Sequence, residues 1–305
     1  MMEAIENRSG SADRTARIVE LFLANCNNEA TRRVYAREIR LFLDLVRKPL
    51  ADVELEDLVV FKASLCGLKS ATVARKLVIL KALLTFAHEE RLMARNPARR
   101  LKVPRVHQRE PQILTVEEAE ALLRSPDRRT LQGKRDHAVL ALLLATGLRE
   151  SEACALDVGD VAMKWAHHVL TVRRGKGDKP RAMSLPDPVW DNLEAYLEAR
   201  GKPEASAPMF LTLGKRGARP SRITPKALDY LVKVHAKRAL IAKKVTPHLL
   251  RHCACSFALA NGASLADVRE MAGHSSLAVS NRYLHAMESA NGGAARKSPL
   301  FGGGR

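Results

Sequence analysis

The stretch "TPHLLRH", residues 246–252, says most about the fold of this chain. Thr246 can cap a helix and Pro247 suits the first helical position, so the stretch predicts a helix that begins here. His248 and Arg251 are then three residues apart and share one face of that helix. A proton-transferring group and a fixed cation at the head of an apolar helix indicate a site for an anion.

Composition and charge indicate which kind of anion. The chain has 305 residues, 46% hydrophobic and 28% charged, which is typical of a globular protein with two domains. Residues 1–105 hold 20 Lys and Arg against 13 Asp and Glu, and residues 106–305 hold 31 against 20. Positive charge in both halves favours a polyanion gripped from two sides. On charge alone, a soluble protein of high pI with no nucleic-acid partner is the alternative.

Other classes of protein are disfavoured by what the sequence lacks. No run of 18 apolar residues is present, so no membrane association is expected. The first residues have no apolar signal-peptide core, so we expect an intracellular, cytoplasmic protein. Cys253 and Cys255 lie near His248 and His252, but this spacing offers no second ligand pair. We therefore predict no metal site and no cofactor.

Helical periodicity predicts a domain of four helices over residues 12–95, after a flexible N-terminus of residues 1–11. Ser70 is the expected N-cap of the fourth helix. The polar side of that helix is cationic, and such charges are either a solvated face or contacts to phosphate. The expected core stripe of the helix is Val73, Leu77, Leu80 and Leu84, and its cations are Lys69, Arg75, Lys76 and Lys81.

The stretch "NPARRLKVPRVHQREPQ", residues 96–112, has three prolines and no periodicity. It predicts an extended basic linker between two domains. A linker of this composition can also lie along a nucleic-acid backbone. The residues expected to do so are Arg99, Arg100, Lys102 and Arg105.

Residues 113–290 predict a second, mainly helical domain, followed by a flexible tail of residues 291–305. Thr115 with Glu118 forms a capping box, and Gly147 ends a long apolar helix. The period then changes to alternation in "HHVLTVRR" and "KPRAMSL", which flank the turn "GKGD" and predict a β-hairpin. The predicted fold class is therefore mainly α with a small β-hairpin or sheet (α+β).

Five stretches of the second domain carry groups suited to phosphate chemistry. They are "TGLRESE" with Arg149, "RRGKGDKPR" with Lys176, "TPHLLRH" with His248 and Arg251, "MAGHSS" with His274, and "NRYLHAM" with Tyr283. In this order and spacing they resemble the catalytic pattern of the tyrosine recombinase (phage integrase) family, most closely its Xer-type and its transposon or phage integrase branches. The resemblance covers about residues 12–290.

The resemblance implies a SAM-like core-binding domain followed by a catalytic domain. It implies a site-specific recombinase that cleaves and rejoins double-stranded DNA through a covalent 3′-phosphotyrosyl intermediate and a Holliday junction. Such enzymes serve integration and excision or dimer resolution, and work as tetramers of one recombinase or of two different ones. Arg173 and Arg174, beside the hairpin turn, are expected DNA contacts.

The chemistry of the matched residues agrees with this implication. A tyrosine hydroxyl, that of Tyr283, can attack phosphorus and store the phosphodiester as a covalent bond. The guanidiniums of Arg149 and Arg251 can hold the non-bridging oxygens. His248 is the expected base and Lys176 the expected acid for the leaving 5′-oxygen. His274 would donate a hydrogen bond to the phosphate.

Other assignments stay open on sequence alone. Glu152 is expected to orient the site from behind Arg149. His252 is expected to be structural rather than catalytic. A type IB topoisomerase-like enzyme that nicks and reseals DNA would use the same residues. A DNA-binding regulator without catalysis is the alternative from another class of protein.

Overall fold

The computed structural model describes residues 2–26, 28–106, 113–164, 166–173, 180–213 and 219–273. The chain divides into two compact units, Met1–Gln108 and Arg109–Arg305. The described part is mainly helical with small antiparallel sheets, so the predicted fold class is confirmed. None of its helices has both the length and the apolar character needed to cross a membrane.

The regular secondary structure of the first unit, within its described residues, is helical. Its helices are α1 (Met2–Ala24), α2 (Glu29–Val46), α3 (Leu55–Ser64) and α4 (Ser70–Glu89), with 3-10 turns at Leu50–Asp52 and Pro97–Arg100. The core is apolar and includes an edge-to-face pair of Phe42 and Phe61, whose ring centroids are 5.2 Å apart. The predicted stripe of α4 is confirmed, because Val73, Leu77, Leu80 and Leu84 are buried.

Three predictions for this unit are wrong. The first helix begins at Met2, not at residue 12, since no proline interrupts residues 2–11. Lys69 occupies the N-cap of α4 and no side chain caps it, so Ser70 is the first helical residue and not the cap. Residues 97–101 are not an extended linker, because Ala98 and Leu101 are buried in the core of this unit. Residues 107–112 of the predicted linker lie outside the described residues.

Lys76 does not lie on the polar side of α4. It is 9% exposed, and its ammonium group forms an ion pair with Glu38, which is 1% exposed. The reason is helical spacing: residue 76 is three after Val73 and four before Leu80, so it shares their buried face. Burial raises the pKa of Glu38, but hydrogen bonds from Lys76 and Arg37 outweigh it and lower that pKa below its usual value.

The second unit contains helices that pack around an apolar helix, α6. The helices are α5 (Val116–Arg124), α6 (Leu131–Thr146), α7 (Glu150–Ala155), α8 (Asp187–Ala199), α9 (Pro225–Arg238), α10 (Pro247–Ala260) and α11 (Leu265–Ala272). Both α8 and α10 pack against α6, and Leu140, Leu142 and Leu143 of α6 are buried between them. The predicted capping box is confirmed, since Thr115 Oγ1 accepts from the N–H of Glu118 and Glu118 Oε2 accepts from that of Thr115.

The predicted β-hairpin is present as β2 (His167–Val172) and β3 (Arg181–Leu185). The two strands are antiparallel, and Val172 pairs with Arg181 at the end of their ladder next to the hairpin turn. A third strand, β1 (Val161–Lys164), which the sequence did not predict, pairs with β2 and gives the order β1-β2-β3. A second small sheet joins β4 (Leu211–Thr212) to β5 (Ser221–Arg222). The hairpin tip, residues 174–179, lies outside the described residues.

A buried polar network fixes the start of α6 against α9. Asp136 accepts from Arg135 through one carboxylate oxygen and lies 2.9 Å from His235 Nε2 through the other. His235 Nδ1 is 2.8 Å from the Ser125 hydroxyl, and Arg135 donates to the Leu211 carbonyl at 2.9 Å. Each buried polar group of the network therefore has a partner, which is the condition for burying it at low cost.

Candidate active site

The first arginine of the site is placed by the end of one helix and the start of the next. Gly147 ends α6 in the left-handed conformation (φ 59°), as predicted. The chain then turns, and Arg149 becomes the N-cap of α7. Glu152 closes the turn, because one of its carboxylate oxygens accepts from the backbone N–H of Arg149 at 2.9 Å and the other from its guanidinium at 2.8 Å. The backbone and the head group of Arg149 are thus held by one carboxylate.

The second arginine projects from α10. Thr246 caps this helix by accepting from the N–H of Leu249, and Pro247 occupies its first turn, as the sequence predicted. His248 is exposed, whereas Arg251 is buried, with 3% of its surface accessible. The Arg251 guanidinium donates to the carbonyl of Gly147 at 2.6 Å and to that of Ala272. Arg251 therefore ties α10 to both α6 and α11.

The C-terminal end of α11 accepts hydrogen bonds from three arginines. Its last carbonyls have no partner within the helix, and they carry the negative end of the helix dipole. Those of Met271, Ala272 and Gly273 accept from Arg181, Arg251 and Arg149, respectively. Three positive groups thus converge on one helix terminus, directly before His274 in the chain.

Arg181 was not among the site residues predicted from the sequence. It lies on β3, and both of its terminal nitrogens donate to Glu152, at 2.9 and 2.7 Å. A signal for it existed: Arg181 is in phase with Met183 and Leu185, the inward-facing residues of the strand. A cation in phase with buried apolar residues is expected to meet a buried anion.

Glu152 is the anion around which these arginines gather. Only 5% of its surface is accessible, and burial by itself would raise its pKa. Hydrogen bonds from Arg181 and from the backbone N–H of Arg149 outweigh burial and lower the pKa to about 2. Glu152 is therefore ionised at neutral pH, and its negative charge is neutralised within the site.

His248, Arg149 and Arg251 line one cleft of 240 Å³, together with Leu148, Glu150, Ser151, Pro225 and Pro247. The cleft brings together the three described residues that were predicted to handle the phosphate. Glu150 stands at its edge, and burial and the neighbouring Asp229 raise the pKa of its carboxyl. The cleft can hold an anion between a histidine and two guanidiniums.

His248 also contacts the histidine one turn further along α10. Its Nε2 is 3.0 Å from Nε2 of His252, and the two rings meet edge to face with centroids 4.3 Å apart. At this distance the two nitrogens can form a hydrogen bond in which one ring donates and the other accepts.

Four predicted site residues lie outside the described residues: Lys176, Arg174, His274 and Tyr283. The predicted helix that contains Tyr283, and the flexible tail after it, lie outside them too. The chain is described up to Arg173 before the hairpin tip, and β3 begins at Arg181 after it. At the end of α11 the described residues reach Gly273. Within the described residues, no group of three His, Cys, Asp or Glu is arranged to hold a metal ion.

The predicted DNA contacts differ in how accessible they are. Lys81 donates to the Leu101 carbonyl at 3.2 Å. Arg173 is exposed but pairs with Asp157 and Asp160. Lys76 is buried, as described above, and is withdrawn as a DNA contact. The remaining described residues among the predicted DNA contacts are all exposed: Lys69, Arg75, Arg99, Arg100, Lys102 and Arg105.

Comparison with known proteins gives the class. Residues 112–289 match the phage integrase family. The chain is 34% identical to "Tyrosine recombinase XerC" of Myxococcus xanthus over 70% of its length and 71% of the relative. It is 33% identical to XerC of Mycobacterium sp. (strain JLS) over 87% of its length and 91% of the relative. It is 32% identical to XerD of Listeria monocytogenes serotype 4b over 84% of its length and 87% of the relative.

Solved structures agree on the fold. A Tn1549 transposon integrase in complex with transposon right end DNA superposes with a TM-score of 0.71 at 18% identity, over 90% of this chain and 98% of that one. A lambda integrase dimer bound to a core site gives a TM-score of 0.69 at 15% identity, over 88% and 75%. The XerA recombinase gives 0.53 at 23% identity, over 95% and 99%.

The fold and the relatives define an enzyme that breaks and rejoins DNA strands. The chain belongs to the phage integrase family and is a site-specific tyrosine recombinase.

Proposed function

We propose that this enzyme cleaves DNA through a covalent bond between Tyr283 and the 3′-phosphate, with the cleft of Arg149, His248 and Arg251 as the phosphate site. The observation that carries the proposal is the meeting of both guanidiniums and an exposed imidazole in one cleft. The transition state of phosphoryl transfer carries charge on its non-bridging oxygens, and preformed donors stabilise that charge most when they need not move. The contacts of both arginines to fixed carbonyls support such a preformed state.

In the proposed reaction, the Tyr283 hydroxyl attacks the scissile phosphorus and its proton passes to His248. The bond from phosphorus to the 5′-oxygen breaks, and Lys176 supplies the proton that this oxygen needs. His274 and the two guanidiniums hold the non-bridging oxygens. Attack by the 5′-hydroxyl of another strand then releases the tyrosine and joins the DNA through a Holliday junction.

We also propose roles for the parts of the chain. Residues 12–95 serve as the core-binding domain, and residues 113–290 as the catalytic domain. The exposed lysines and arginines of the first unit support this DNA-binding role, because such groups bind the phosphates of the DNA backbone. The enzyme works as a tetramer, of this chain alone or with a second recombinase, in the cytoplasm on the nucleoid.

A covalent trap tests the chemistry. The protein is incubated with a nicked duplex that carries a site selected from random DNA by the protein itself, and any adduct is mapped by mass spectrometry. We expect a phosphotyrosyl adduct on Tyr283, and Tyr283→Phe should bind the same duplex without forming one. An adduct on a different residue would reassign the nucleophile. No adduct on a duplex that the protein binds would contradict the proposed cleavage.

A second assay separates recombination from nicking and resealing. Two copies of the selected site on one supercoiled plasmid should yield recombinant products. Relaxation of plasmids that lack the site, without recombinants, would instead identify a topoisomerase-like activity.

A further inference from the structure

We propose that Arg181 is the positioning residue that holds the phosphate-binding arginines, the β2–β3 hairpin and the end of α11 in one fixed arrangement. This role rests on the proposed function, since the residues that Arg181 aligns are those of the proposed phosphate site. Arg181 does not itself line the cleft that Arg149, His248 and Arg251 share. It acts through Glu152.

The contacts of Arg181 use its guanidinium almost completely. Its side chain is 9% exposed. Two nitrogens donate to the two oxygens of Glu152, at 2.9 and 2.7 Å, and Nε donates to the Met271 carbonyl at 3.1 Å. A bidentate pair of this kind fixes direction as well as distance, because the planar guanidinium matches the planar carboxylate. A lysine at this position would supply charge without that alignment.

Glu152 passes the alignment on to Arg149. Each Glu152 oxygen accepts one hydrogen bond from Arg181 and one from Arg149, the latter through the backbone N–H and through Nη1. Because Arg181 fixes the plane of the carboxylate, it also fixes where the Arg149 guanidinium can lie. Without Arg181, Glu152 can rotate about its side-chain bonds while still pairing with Arg149.

Arg181 also lies next to the turn of the hairpin that carries Lys176. It is the first residue of β3, and its partner in the ladder is Val172. The hairpin tip leaves the sheet between these two residues. The ion pair with Glu152 therefore fixes the start of β3, five residues after the proposed general acid Lys176 in the chain.

Gly273 shows that Arg181 also determines the path of the chain toward His274. Gly273 ends α11 with φ 60°, and a Cβ there would lie 3.0 Å from Arg181 Nη1 and 3.2 Å from its Cζ. The glycine backbone thus passes close against the guanidinium, and any side chain would displace one or the other. Three segments that carry proposed catalytic residues therefore meet at one side chain.

The test compares R181Q and R181K with E152Q, the double variant R181Q/E152Q and the matched control R135Q. Arg135 is equally buried and also binds one carboxylate and one carbonyl, but it lies in the polar network of Asp136 and His235. The rate of adduct formation on the nicked duplex, the Kd for that duplex and the thermal unfolding midpoint are measured for each. R181Q should slow adduct formation about 10- to 100-fold while the Kd stays within about threefold, as expected for groups that orient catalytic residues.

The other variants separate positioning from stability. R181K should recover part of the rate, and the double variant should be no slower than the slower single variant, because both act through the same carboxylate. R135Q should lower the unfolding midpoint but leave the rate of the folded protein unchanged. A rate for R181Q within about twofold of wild type, or an equal loss in R135Q, would overturn the assignment. If R181Q does not fold, R181K carries the same comparison.

Hydrogen exchange at backbone N–H groups of the free protein tests the positioning role of Arg181 without any DNA. R181Q should accelerate exchange at the N–H groups of Arg149 and Gly273, whereas R135Q should not. Unchanged exchange at both groups in R181Q would refute the positioning role even if the enzyme were inactive. A wild-type protein that forms no adduct, with the exchange result as expected, would refute the proposed cleavage and not the role of Arg181.

Discussion

Arg149 and Arg251 donate to two consecutive carbonyls, those of Gly273 and Ala272, at the end of one helix. One arginine comes from the turn after α6 and the other from the second turn of α10, so residues about a hundred positions apart share a single anchor. This arrangement supplies the spacing of the proposed phosphate clamp before any DNA binds.

Arg251→Ala should lose about 3 kcal/mol of transition-state stabilisation, the usual effect of removing one preorganised donor group. It should also lower the free energy of unfolding, because the Gly147 and Ala272 carbonyls each lose a donor, at about 1 kcal/mol for each hydrogen bond. Single-turnover cleavage and urea unfolding measure the two effects separately. Cleavage by Arg251→Ala at a near-normal rate would remove Arg251 from the clamp.

Lys176→Ala should slow strand cleavage on ordinary DNA and regain most of the rate on DNA with sulfur at the 5′-bridging position. A thiolate leaves without taking up a proton, so the general acid becomes unnecessary. Arg173→Ala is the matched control from the same hairpin, and it should show no selective rescue by sulfur. An equal loss on both substrates for Lys176→Ala would argue against proton donation by Lys176.

Acid should weaken the fold through Glu152. Its pKa is about 2 in the folded protein and about 4.5 when exposed, so the unfolded chain binds the proton more readily. The resulting stabilisation is fully present above pH 4.5 and is lost as the pH falls toward 2. It amounts to about 3 kcal/mol at pH 7.

E152Q removes that contribution. The difference in the free energy of unfolding between wild type and E152Q should therefore shrink by about 2 kcal/mol between pH 7 and pH 3, measured by urea titration. A difference that stays constant over this range would mean that Glu152 is not held ionised by Arg181 and Arg149.

Substitutions of the neighbouring residues Lys76 and Arg75 should have different effects, the first on stability and the second on DNA binding. Lys76→Met removes a buried partner of Glu38 and should lower the free energy of unfolding by about 3 kcal/mol, the lower end for such pairs, because Arg37 still contacts Glu38. Arg75→Ala should change stability little and reduce the slope of log Kd against log salt by about one. The reverse result, with the salt slope changed by Lys76→Met, would return Lys76 to the DNA interface.

Thiol labelling should divide the five cysteines by their burial. Burial raises the pKa of Cys154 to about 12 and that of Cys253 to about 11, so both stay protonated and unreactive at pH 8. Cys66 is exposed and should react first with iodoacetamide, followed by the half-buried Cys26. Mass spectrometry of the native protein over time gives the order. Early labelling of Cys154 or Cys253 would show that the core around α7 or α10 opens readily.

Local signals predicted the features that depend on a few neighbouring residues. The caps at Thr115 and Thr246 and the left-handed end at Gly147 follow from side chains within four positions of each other, and they are confirmed. The same holds for the alternating strands of the β2–β3 hairpin. The ordered catalytic motifs were enough to identify the family, which is confirmed.

Features that depend on distant parts of the chain were missed. Arg181 finds its role only because α7 and α11 reach it, and the buried charge of Lys76 has a partner only because α2 supplies Glu38. Strand β1 is too short to show a period of its own and exists because β2 offers it an edge. The roles of Lys176, His274 and Tyr283 remain predictions.

The terminus of α11 has a consequence for how the protein is made. On the ribosome, Arg149 and Arg251 are both synthesised before residues 265–273, so a nascent chain has both guanidiniums before it has the carbonyls that anchor them. Arg181 likewise lacks its Met271 partner until then. The anchored arrangement of Arg149, Arg181 and Arg251 therefore forms only after α11 has been synthesised and has docked, and a chain released before that point lacks it.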